Sequence, residues 1–145
     1  MQRFIGEEFV PIKSQCFWKE RTELMKRFDV IWTPTFLFQD AEGKVHRKLS
    51  GFLPTGDFLA QLKLGKGMVL LEKERNEEAI KWLERAAKEH PDSGAAPEAV
   101  YFLGVARYKS THEAGALRNI YDTLLIKYPE SEWTRRAQPY SQIPG

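Results

Sequence analysis

Trp32-Thr33-Pro34-Thr35-Phe36, then Asp40-Ala41-Glu42-Gly43-Lys44, then Gly51-Phe52-Leu53-Pro54-Thr55: these three stretches decide how the first part of the chain folds. The apolar run Phe36-Leu37-Phe38 reads as a strand. Asp40 to Gly43 reads as a hairpin loop, with Gly43 free to take a positive φ. Lys44 to Leu49 alternates and returns as a second strand. Gly51 to Thr55 then leads into a helix around Asp57 to Leu62. The Thr55 hydroxyl is placed to accept from early helix amides as a cap.

Working outward toward Met1, Phe9-Val10-Pro11-Ile12 is a strand candidate. Pro11 has no backbone donor, which confines such a strand to a sheet edge. From Trp18 to Phe28, the positions of Leu24, Met25 and Phe28 follow helical spacing. Met1 to Glu8 is polar and amphipathic and lacks the apolar core of a secretion signal. No apolar run approaches the ~20 residues that a spanning helix needs. The expectation is a cytoplasmic protein with no membrane partner. In the 145-residue chain, 22 basic side chains face 20 acidic ones, a balance that gives no reason to expect a nucleic-acid partner. Cys16 is the single cysteine, so no intrachain disulfide and no cysteine-rich metal site is expected.

From about Leu64 onward the pattern is helical throughout, and it echoes itself. Ala79-Ile80, Leu83, Ala87 and His90-Pro91-Asp92-Ser93 form one unit. Ala116-Leu117, Tyr121, Leu125 and Tyr128-Pro129-Glu130-Ser131 form the next. Pro91 and Pro129 lie 38 residues apart, and the pairs Leu64-Gly65 and Leu103-Gly104 lie 39 apart. A helix-turn-helix period of this size marks stacked helical hairpins. Gly65, Ala79, Gly104 and Ala116 are the small residues expected at close helix crossings. Each proline ends its second helix, and the acid and serine after it start the next segment. Two units are fewer than a free-standing array needs, so the module is expected to lean on the first domain through helix 57–62.

The Thr-Pro-Thr turn, the hairpin and the Gly-Phe-Leu-Pro lead-in together resemble the second half of a thioredoxin-fold domain. The Leu-Gly, Glu-Ala and Tyr-Pro-x-Ser elements are similar to tetratricopeptide repeats. The order of the two resembles bacterial thioredoxin-family proteins with a C-terminal helical-repeat extension, whose setting is cell redox homeostasis. The resemblance implies an α/β plus all-α chain: a partial thioredoxin-like domain over 1–62, then TPR-like helical hairpins over 63–145. It further implies a cis bond at Thr33–Pro34, and a backbone edge at Trp32, Thr33 and Pro34 that pairs with an extended peptide or disulfide substrate. In the family the redox Cys-x-x-Cys stands upstream, after the first core strand; here Met1 to Glu8 match the tail of the helix that follows it. Cys16 aligns with neither redox cysteine. The family's absent strand lies between those matching Phe9–Ser14 and Phe36–Gln39, which leaves three solutions: direct pairing of those two, a strand supplied by a second copy, or a longer natural chain.

Candidate sites follow from these readings. Trp32, Thr33 and Pro34 are the peptide-binding candidates, against a purely structural turn; Trp32 is either a wall of that site or a half-buried core residue, and core is the favoured reading. Cys16, with Lys13 and Lys19 near in sequence, is either a reactive thiol or an inert small apolar residue. His46, His90 and His112 show no metal-ligand spacing and read as surface or capping residues. Glu7-Glu8 and Glu77-Glu78 are adjacent pairs that point apart on a helix; Glu77-Glu78 suit the first turn after Asn76. Trp82, Tyr101, Phe102, Tyr108, Tyr121, Tyr128 and Trp133 read as repeat core, and Trp133 and Tyr140 as contacts for a partner or second copy. No catalytic set, metal or cofactor is expected. The first functional expectation is a non-catalytic protein-interaction module with a protein or peptide partner, a homodimer being one form. The alternative is a thiol–disulfide oxidoreductase whose Cys-x-x-Cys lies upstream. A third is a remnant that docks oxidised peptides without reducing them.

Overall fold

The computed structural model describes residues 1–17 and 19–145. The elements run α1 (Gln2–Glu8), α2 (Glu23–Arg27), β1 (Thr35–Gln39), β2 (Val45–Ser50), α3 (Thr55–Glu72), α4 (Asn76–Glu89), α5 (Ala96–Thr111), α6 (Gly115–Lys127), α7 (Glu132–Ala137) and a short 3-10 helix (Gln138–Gln142). The fold is mostly helical, with one two-stranded antiparallel hairpin and packed helix pairs. The chain divides into two compact units: Met1–Leu37 with Lys48–Phe52, and Phe38–Arg47 with Leu53–Gly145.

In the first unit, the helix read over 18–28 is shorter, and Trp18 lies outside the described residues. α2 starts where the Thr22 side chain accepts from the Met25 amide at 3.2 Å, an N-cap. It ends where Asp29 turns to φ 49° and the Val30 amide donates to the Met25 carbonyl at 2.8 Å. Met25 is the buried anchor at 1% exposure. The Arg21 guanidinium donates to the carbonyls of Met25 and Val30, both at 3.1 Å, and Lys48 Nζ donates to those of Phe28 and Asp29.

The strand expected at Phe9–Ser14 does not form. This segment is irregular, and Val10 and Ile12 stand 89% and 88% exposed. Among the described residues the sheet contains β1 and β2 alone, so the two strands flanking the family's absent one do not pair directly. Pro11 removes a donor from the segment, and a lone strand has no ladder to join.

The hairpin forms as read. Gly43 takes φ +84°, and the Asp40 amide donates to the Lys44 carbonyl at 3.1 Å. The Lys44 amide donates to Asp40 Oδ1 at 2.9 Å, which closes the turn with a side chain.

In the second unit, the helix read over 57–62 is the start of the eighteen-residue α3, so position 62/63 falls inside one helix. Thr55 is its first helical residue and makes no side-chain cap bond. α3 packs on α4, α4 on α5, α5 on α6, and α7 with the 3-10 helix closes against α6. Leu64, Leu83, Ala86, Ala99 and Ala106 lie in one buried cluster, and Ile120, Leu124 and Ala137 in another. The echo in sequence is an echo in geometry. His90 ends α4 at φ −136°, ψ 58°, and Tyr128 ends α6 at φ −140°, ψ 54°. Ser131 caps α7 by accepting from the Trp133 amide, whereas Ser93 turns back and donates to the His90 carbonyl at 2.8 Å.

Two small-residue expectations divide. A Cβ on Gly104 would stand 2.0 Å from Ile120 Cγ1, so Gly104 lets α5 and α6 touch. Gly65 instead faces Phe38 of β1, at 2.5 Å from a built Cβ; the α3–α4 crossing is at Gly67, against Leu83 at 2.8 Å.

Candidate functional site

α4, α5 and α6 leave a groove of about 370 Å³ between them. Its floor is apolar: Val100 and Leu103 of α5, Ile120 of α6, and Ala87 with Pro91 at the end of α4. The floor exists because Gly104 and Ala116 have little or no side chain where α5 meets α6. The rim is polar, with Asn119 and Thr123 from α6. Tyr128 holds one end, its hydroxyl donating to the Pro91 carbonyl at 2.8 Å. Burial pushes the Tyr128 phenol up, and the nearby Asp92 carboxylate adds to this, so the hydroxyl stays a donor.

All the charged groups lining the groove are cations: Lys88, Arg107 and Lys127. Glu84 lies beside two of them, 2.5 Å from Arg107 and 3.7 Å from Lys88. Among the described residues Lys127 is in no ion pair.

Of the aromatics read as core, Trp82 and Phe102 pack on the first cluster, and Tyr101, Tyr121, Tyr128 and Trp133 on the second. Tyr101, Tyr121, Tyr128, Trp133 and Tyr140 are half-buried against Ile120, Leu124 and Ala137. Trp133 and Tyr140, expected to face a partner, pack inward: Trp133 is 5.2 Å from the Tyr101 ring and 5.4 Å from the Phe102 ring. The Tyr101 and Tyr140 hydroxyls share a hydrogen bond at 2.9 Å. Burial and that bond push the Tyr140 phenol up to about 12. Tyr108 is 36% exposed and lies outside the core.

The residues around Thr33–Pro34 belong to the first unit. The bond is cis. The Thr35 hydroxyl donates to the Trp32 carbonyl at 2.6 Å, and the Gly51 amide to the Pro34 carbonyl at 2.8 Å. Trp32 is 63% exposed, so the core role weighed for it is not what the structure shows. Ile31 and Phe52 are more exposed still, at 76% and 82%. Cys16 is half-buried in the irregular segment after Ile12, and no hydrogen bond reaches its sulfur among the described residues.

Two polar clusters escape a sequence reading. The His46 side chain, 1% exposed, stands between Asp40 Oδ2 and Glu72 Oε2, each at 2.8 Å. Lys44 and Lys73 close the outside, at 3.0 Å from Glu72 and 3.5 Å from Asp40. The hydrogen bond from His46 holds the Asp40 carboxyl well below the usual range, and the Lys44 and His46 bonds lower Glu72. The second cluster is built on Lys63, whose side chain is 6% exposed. Its ammonium donates to Glu89 at 2.5 Å and to His90 Nε2 at 2.7 Å. Burial and the adjacent Lys63 cation lower the His90 pKa, so the ring serves as an acceptor. Neither histidine is a surface or simple capping group. Among the described residues no group of His, Cys, Asp and Glu could hold a metal ion, and no helix is long and apolar enough to cross a membrane.

Both clusters bind one element to another, and none of their residues lines the groove. The groove is the concave, partly apolar surface with polar groups at its edge, the form that ligand and peptide sites take. Comparison with models of protein families, with curated proteins and with solved structures gives no match.

Proposed function

We propose that this chain is a non-catalytic protein-interaction module that holds a peptide segment in the α4–α6 groove. The observation that carries the reading is the groove itself: an apolar floor made by Val100, Leu103 and Ile120 under a polar rim, on packed helix pairs. Stacked helical hairpins present grooves of this kind, and a peptide with apolar anchors buries them there. The finer reading of the architecture is a partial thioredoxin-like segment followed by TPR-like hairpins. In its favour are the 38-residue echo, with the same backbone turn at His90 and Tyr128, and the hairpin after Thr33–Pro34. A cytoplasmic setting belongs to the same proposal.

A second peptide surface is the edge at Trp32, Thr33 and Pro34. The exposure of Ile31, Trp32 and Phe52 favours it, since exposed apolar groups in one region mark contact sites. The alternative is a thiol–disulfide oxidoreductase whose Cys-x-x-Cys lies upstream of this chain; Cys16, half-buried, is not part of that motif.

The test is fluorescence polarisation with a labelled pool of random ten-residue peptides, on the full chain and on Asn119→Trp. Asn119 is exposed on the rim, so the indole obstructs the groove without entering the core. Binding lost in Asn119→Trp supports the reading. Equal binding in both chains removes it. Insulin-disulfide reduction with dithiothreitol tests the lone thiol: acceleration that vanishes in Cys16→Ser would make Cys16 catalytic.

A further inference from the structure

We infer that the segment held in the α4–α6 groove is acidic: an apolar side chain flanked by Asp or Glu. This rests on the groove being a peptide site, and goes on to its selectivity. The chain as a whole is close to neutral, with 22 basic and 20 acidic side chains. The groove is not. Lys88, Arg107 and Lys127 line it from three successive helices, and no carboxylate lines it. Glu84 is shared by Lys88 and Arg107 and offsets at most one of the three charges. Lys127, on α6, is exposed, with no ion-pair partner among the described residues.

The placement of the charges selects the ligand. They sit at the edges while Leu103 and Ile120 lie 9% and 2% exposed at the bottom. An apolar side chain fits the floor, and carboxylates on either side of it reach the rim. Exposed charges of one sign raise the encounter rate with the opposite sign and disfavour like-charged competitors. A nucleic acid would satisfy the cations, but its bases stack on aromatic rings, and the floor is aliphatic with Tyr128 the one aromatic ring in the lining; an acidic peptide with an apolar side chain uses both floor and rim.

The experiment uses the full chain and three synthetic ten-residue pools, each with a central Leu. The flanks are Asp and Glu in the first, Asn and Gln in the second, and Lys and Arg in the third. A labelled ten-nucleotide thymidine oligonucleotide is the fourth probe. The acidic pool is expected to bind about tenfold more tightly than the neutral pool at low salt, with the margin shrinking as salt rises. Lys88→Glu/Lys127→Glu changes two exposed rim positions, and is expected to erase that margin while leaving the circular dichroism spectrum unchanged. Equal affinity for acidic and neutral pools, both lost in Asn119→Trp, would overturn the acidic preference and leave the peptide groove standing. Binding of no pool would remove both. Tighter binding of the oligonucleotide than of the acidic pool would assign the cations to a phosphate backbone and overturn the inference.

Discussion

Gly104 shows how much one residue decides. Its missing side chain lets Ile120 of α6 seat against α5, and the same contact shapes the groove floor. In Gly104→Ala the new methyl meets Ile120 Cγ1 at 2.0 Å and the Ala116 carbonyl at 3.1 Å, so the helices must separate. Overpacking of this kind costs about 1–3 kcal/mol. Urea denaturation is expected to show that loss for Gly104→Ala and no loss for Gly56→Ala, where nothing lies within 4 Å in the first turn of α3. Equal stability of the two variants would mean that the α5–α6 contact is not close. Gly104 was legible in the sequence because Leu103-Gly104 stands in a helical pattern beside a repeat. Gly67 was not: nothing in Gly65-Lys66-Gly67 tells which glycine faces α4, and only the rotation of α3 settles it.

At the scale of elements, buried polar side chains join what apolar packing alone would leave loose. Arg47 of β2 makes a two-pronged pair with Glu98 of α5, both bonds at 2.7 Å, and a further bond to Gln61 of α3. The two side chains are 17% and 14% exposed, so each depends on the other. Removing one partner strands the other, at about 1–3 kcal/mol, while removing both costs less than the sum. A double-mutant cycle on Arg47→Met and Glu98→Gln, read by thermal denaturation, is expected to show coupling of about 1 kcal/mol or more. Additive losses would reduce the pair to a surface contact. Here the sequence reading stops for a clear reason. Periodicity reveals an apolar face, but an arginine on a strand carries no mark of a glutamate fifty-one residues away. His46 and His90 were misread on the same ground, and Lys63 drew no reading at all, since their burial comes from partners on other elements. Phe9–Ser14 failed in the reverse sense. Its composition suits a strand, but a strand needs a neighbouring ladder, and none reaches it among the described residues.

At the scale of the whole molecule, the clusters set how stability varies with pH. Asp40, Glu72 and Glu89 all titrate below their ordinary values in the folded chain. The unfolded chain therefore takes up protons first, near pH ~4, and stability present above that pH is lost as pH falls through the folded values. His90 is lowered as well, and the unfolded chain protonates it near pH ~6.5, so stability also declines below that point. Melting temperatures are expected to fall in two steps between pH 7 and pH 3. Asp40→Asn is expected to shrink the lower step, and His90→Gln to remove the upper one. A melting temperature flat from pH 7 to pH 5 in the parent chain would contradict the Lys63–His90 arrangement.

The same scale carries the function. The helical half was legible because its repeat is long and periodic, and the hairpin because its turn residues are specific. The groove was legible only as a class, since its floor depends on Gly104 and its charges on three helices coming together. The most direct measurement is amide chemical-shift mapping of the ¹⁵N-labelled full chain titrated with the random ten-residue peptide pool. The expected shifts include Ala87, Val100, Gly104, Asn119 and Thr123. Shifts confined to Ile31, Trp32 and Phe52, with the α4–α6 residues unmoved, would contradict the groove as the binding site.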